Sequence, residues 1–98
     1  MERTMENENI EKLYFKALEL YGIVAQEWML VEECGELLNA LAKLRRGRAS
    51  KKEILTELAD VHIMVEQMAC FFGLEEFQLE KEVKLARLEE RLKKYKKS

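Results

Sequence analysis

Five acidic side chains in this sequence fall at spacings that set carboxylates side by side. In VEECGELLNALAKL, residues 31 to 44, Glu32, Glu33 and Glu36 crowd the first turns of an otherwise apolar segment, and ELAD, residues 57 to 60, adds Glu57 and Asp60. An α-helix advances by about 100° per residue, so the i,i+3 pairs Glu33/Glu36 and Glu57/Asp60 each lie about 60° apart on one face. Glu33 borders the Leu30/Leu37/Leu41 stripe, Glu36 lies further round beside Met29 and Ala40, and Glu32 turns towards the opposite side. The second pair is flanked by Ile54, Val61 and Met64.

If the two segments form an antiparallel hairpin, four carboxylates converge. Such a cluster repels itself and has raised pKa values unless a cation binds it. An all-oxygen ligand set suits Mg²⁺ or Mn²⁺. One acidic pair by itself reads as surface charge, since Glu commonly pairs with Lys or Arg at i,i+3 or i,i+4. Two pairs on adjacent apolar helices favour a site. A ferritin-like di-iron centre is excluded, because it needs Glu-x-x-His and Ala59 stands three residues before His62. His62 reads as a helix-packing residue.

The elements that would position these acids are four helices. Glycines fall between periodic segments, giving a first helix from about Asn9 to Tyr21, closed by Gly22, and a second from about Val24 to Arg46. The second places Leu30, Cys34, Leu37, Leu41 and Leu44 at helical spacing and ends where Gly47 takes a left-handed cap. The third opens with a capping box, Ser50 and Glu53, and runs through Phe72 to Gly73. The fourth, from about Glu75 to Lys96, is highly charged and keeps Phe77, Val83, Leu85, Leu88 and Leu92 for the core. The expectation is an all-α, four-helix bundle-like protomer forming a single domain over residues 1–98.

Size and composition set the limits. A chain of 98 residues with 17 basic and 19 acidic side chains and no proline is one small domain. A lone core is marginal at this length, so a homodimer or homotetramer is expected. Cys34 and Cys70 have no C-x-x-C spacing; they read as small buried residues in a reducing cytoplasm. The charged start MERTMENENIEK lacks the apolar stretch of an export signal, and no apolar run approaches the ~20 residues of a membrane span. Lys43, Arg45, Arg46, Arg48, Lys51 and Lys52 surround the turn between the acidic helices. With a net charge of −2 and no recognisable binding motif, this cluster reads as solvated charge or as nucleotide steering rather than a nucleic-acid surface.

EECGE at 32–36 followed by ELAD at 57–60 resembles the EExxE…ExxD signature of the MazG-like all-α nucleoside triphosphate pyrophosphohydrolases. Tyr21, Gly22 and Gln26, the segment ELLNALAKLRRG and KLARLEERL at 84–92 extend the resemblance over roughly residues 20–92. It implies a helical homodimer or homotetramer that uses Mg²⁺ to hydrolyse a nucleoside triphosphate to the monophosphate and pyrophosphate. Metal ligation carries over to Glu33, Glu36, Glu57 and Asp60. Glu32 matches the first acid of the motif, with the implied role of orienting or deprotonating the attacking water, or of accepting a hydrogen bond from a water on the metal.

Phosphoryl transfer is catalysed mainly by positioning and charge neutralisation, so a triphosphate also calls for cations. Lys43, two turns beyond Glu36, and Lys84, Arg87 and Arg91 at i,i+3,i+7 on the fourth helix are candidate phosphate ligands. Intrahelical pairing with Glu is their competing fate. Trp28 points away from the Leu30 stripe and is a candidate for stacking on a base or filling a subunit interface. Two further readings stay open: phosphoribosyl-ATP pyrophosphohydrolase, which shares fold and acidic logic, and a non-catalytic helical dimerisation module.

Overall fold

The computed structural model describes the backbone of residues 5–96 and the side-chain environments of residues 7–95. Four helices follow one another, α1 (Met5–Tyr21), α2 (Ile23–Arg45), α3 (Lys51–Phe72) and α4 (Leu74–Lys96), with no strand among the described residues. The all-α, four-helix expectation holds. Glycine makes the breaks possible: Gly22, Gly47 and Gly73 have φ of 86°, 72° and 138°, where a Cβ is strained. At the start of α3 the Ser50 hydroxyl accepts a hydrogen bond from the Glu53 N–H at 3.1 Å, satisfying one of the free donors of the first turn. α1 begins earlier than its apolar pattern requires, as acidic residues favour a helix N-terminus.

Helices α2 and α3 form an antiparallel hairpin across residues 46–50 and make the main packing contact. α1 lies against α3 and, less extensively, α2, while α4 packs against α3 alone. Ala40, Met64, Met68 and Ala69 form the buried core, most of it on the second half of α3. Between the hairpin helices Gln67 Nε2 donates to Gln26 Oε1 at 2.6 Å, with both side chains buried. A buried amide left unpaired costs about 1–3 kcal/mol, so this contact fixes which turns of α2 and α3 lie level. Seven residues along each helix from that pair are Glu33 and Asp60, and ten along are Glu36 and Glu57. Tyr14 donates to a Glu66 carboxylate oxygen at 2.6 Å and ties α1 to α3.

Several side chains depart from the pattern expected. Val83, Leu85, Leu88 and Leu92 are not core residues of this chain but 47–55 % exposed, and from Gln78 to Tyr95 every residue of α4 is exposed. Beyond Phe77 the helix leaves α3, so its apolar positions meet nothing of their own chain. Cys34 and Cys70 are half-buried rather than enclosed. His62 is exposed and lies 3.7 Å from Glu66, so it packs no helix. Leu41 and Leu44 are also exposed, because the α2 stripe loses its cover towards the turn. The radius of gyration is 16.7 Å, against about 13 Å for a compact domain of this length. Among the described residues no helix is long and apolar enough to cross a membrane.

Candidate functional site

The hairpin register brings the two acidic motifs together. Glu33, Glu36 and Glu57 each offer a carboxylate oxygen, and these atoms all lie within 4.8 Å of one another, a spread that one cation with bonds of about 2.0–2.6 Å covers. Glu33 and Glu57 are half-buried and Glu36 is exposed, so the group lies in the wall between α2 and α3 with one side open. Asp60 is half-buried, one turn along α3 from Glu57, and its charge acts on both Glu33 and Glu57.

Electrostatics follow from that crowding. Burial pushes the Glu33 carboxyl above its ordinary value, and the charges of Glu36, Asp60, Glu57 and Glu32 add to the shift in that order. Glu57 is raised by burial first, then by the charges of Glu36 and Asp60, a hydrogen bond with Glu36, and the charge of Glu53. One oxygen of each, Glu33 Oε2 and Glu57 Oε2, is buried with no hydrogen-bond partner. Buried polar atoms are ordinarily paired, so two orphaned carboxylate oxygens in one acidic group fit the demand of a hard divalent cation.

The other candidates are placed less closely. Glu32 is exposed on the outer side of α2 and is felt by Glu33 only as the smallest of its perturbing charges. Lys43 is exposed in the last turn of α2, and Trp28 is exposed on the same helix. Lys84, Arg87 and Arg91 sit on the part of α4 that packs against nothing, and neither α1 nor α2 packs against that helix. The chain therefore joins the acids of both motifs and leaves the α4 cations outside the group. Gln26 and Gln67, which hold the register, were not singled out as functional; the available signal was a polar residue seven positions before Glu33 on the same helical face. No protein-family model, curated protein or solved structure matches this chain.

Proposed function

We propose that this chain is a cytoplasmic, self-associating MazG-like nucleoside triphosphate pyrophosphohydrolase that takes an NTP or dNTP to the monophosphate and pyrophosphate in nucleotide-pool house-cleaning. The observation that carries the reading is the convergence of Glu33, Glu36 and Glu57 around two buried, unpartnered carboxylate oxygens. These acids belong to the motifs that resemble the family.

In this reading Glu33, Glu36, Glu57 and Asp60 hold Mg²⁺, with Mn²⁺ a substitute, because an oxygen-only set selects hard cations. The ion, when bound, supplies positive charge to the triphosphate and Lewis-acid activation of the phosphorus under attack. Glu32, exposed beside the group, orients the attacking water or takes its proton. Lys43 and the basic residues around the turn raise the local concentration of a polyanionic substrate. Trp28 offers an exposed ring to a base or to another subunit.

A panel of the common NTPs and dNTPs together with phosphoribosyl-ATP, each with Mg²⁺ or Mn²⁺ and scored for pyrophosphate against orthophosphate, tests the proposal. Pyrophosphate release is expected from at least one nucleotide. A pure protein inert across the whole panel would point instead to the dimerisation module, and turnover confined to phosphoribosyl-ATP to the histidine-pathway enzyme.

A further inference from the structure

The accessible surface of the chain is 8406 Å², whereas a folded monomer of 11.6 kDa exposes about 5,800 Å², an excess of roughly 2,600 Å². Obligate interfaces bury about 2,000–5,000 Å² in total, or about 1,000–2,500 Å² from each partner, so the excess on this one chain is as large as a large permanent interface removes. Much of it lies on α4, whose residues 78–95 are all exposed. An unpacked helix of that length is marginal in water, since helices in proteins draw most of their stability from packing one face.

The pattern on α4 says what kind of partner fits. Leu74, Phe77, Leu85, Leu88 and Leu92 form one stripe at helical spacing, interrupted once by Lys81. Beside it runs a charged edge, Glu76, Glu80, Lys84, Arg87 and Arg91, which is acidic at the start and basic at the end. The four outer residues of that edge are exposed, and among the described residues none of them forms an ion pair within the chain. Two parallel copies would set like charges opposite one another. Two antiparallel copies related by a two-fold axis near Val83 and Lys84 set Glu76 level with Arg91 and Glu80 level with Arg87, twice over.

The same register lets Leu88 fall between the other helix's Phe77 and Lys81, and Leu92 between its Leu74 and Phe77. A cleft of about 360 Å³ opens there, lined by Leu30, Val65, Met68 and Phe72 with Glu76 and Glu80 at its edge. It offers an apolar floor to Leu92 and an acidic rim to Arg91.

We propose that α4 is the docking helix for a second copy of this chain, antiparallel, with Glu76 and Glu80 of each copy facing Arg91 and Arg87 of the other. The inference rests on the self-association stated above and is independent of the hydrolase chemistry. It gives Arg87 and Arg91 a role in assembly in place of phosphate binding.

The experiment is a charge swap read by light scattering and analytical ultracentrifugation, with circular dichroism to check that each chain is helical. One variant carries Glu76→Arg and Glu80→Arg, the other Arg87→Glu and Arg91→Glu. Each by itself is expected to associate at least about 100-fold more weakly than wild type, since like charges then face each other. Mixed in equal amounts the two should restore the wild-type mass as a heteromer. A wild type that is monomeric throughout would overturn self-association and this interface together. An assembled wild type whose mass survives in both variants would overturn the α4 interface alone, as would two dissociated, helical variants that fail to associate when mixed.

Discussion

Two carboxylate oxygens turned inward without partners make the acidic group a source of strain in the chain without a cation. The unfolded carboxyls titrate near 4.5, while burial and mutual repulsion raise Glu33 and Glu57 in the folded state. Below that value both states are protonated and the folded state is not penalised. As pH rises from 4.5 through the raised folded values, the unfolded chain gives up its protons first, and stability falls. Thermal melts without metal should therefore show a falling melting temperature over that window, and Glu57→Gln should flatten the fall. A melting temperature that climbs there would refute the repulsion. Saturating Mg²⁺ should raise the midpoint at neutral pH, by the equivalent of about 2.7 kcal/mol at a hundredfold excess over its dissociation constant. Glu57→Gln should blunt that rise, and indifference of wild type to millimolar Mg²⁺ would remove the metal site. Glu36→Gln and Asp60→Asn keep side-chain shape and remove a ligand charge, so pyrophosphate release should drop by about 10²-fold or more with helicity unchanged. The pairs themselves were legible, because an i,i+3 spacing among apolar neighbours fixes relative position within one helix. Their meeting followed from an antiparallel hairpin of the two apolar helices; the contact that holds the register was not legible, since it depends on Gln26 finding Gln67, 41 positions apart, and two uncharged residues carry little local signal.

That amide pair and the glycine turns act at the scale of the helices. Gln67→Met alone strands a buried Gln26 oxygen and should destabilise the fold by about 1–3 kcal/mol, whereas Gln26→Met with Gln67→Met leaves no orphan and should recover part of the loss. Chemical denaturation of Gln67→Met, Gln26→Met and the double variant measures this, and equal or additive losses would mean that the bond does not set the register. Gly73→Ala places a Cβ at a φ of 138°, a strained backbone for any L side chain, while the exposed Glu76 carboxylate 2.7 Å away can swing aside, so the backbone strain should cost about 1 kcal/mol or more and disturb the start of α4. Helix number and limits were readable because glycine interrupts each period and Ser50 caps α3. The course of α4 was not, because periodicity gives the faces of a helix and says nothing of the angle at which Gly73 releases it. Leu85, Leu88 and Leu92 on α4 have the spacing of a core face and lack a neighbour within the chain, whereas Phe77 alone of the residues assigned to that core keeps one.

For the whole molecule, the surplus surface ties the proposed self-association to a measurable dependence of stability on protein concentration. If a second copy covers α4, the melting temperature should rise as the chain is concentrated, and differential scanning over a hundredfold range reads it; an invariant midpoint would favour a self-sufficient protomer. The turn at residues 46–50 adds a consequence for how the molecule comes together. Because it joins the two helices that carry the acids, those groups meet by closing a short loop, an inexpensive local event. If a second copy covers α4, the packing that stabilises that helix awaits an encounter between chains. Refolding should then divide by kinetic order: a fast first-order phase that Mg²⁺ already accelerates or deepens, followed by a second-order phase in which the remaining helix signal appears at a rate proportional to chain concentration. Newly made chains would thus gain the cation site before they gain their partner.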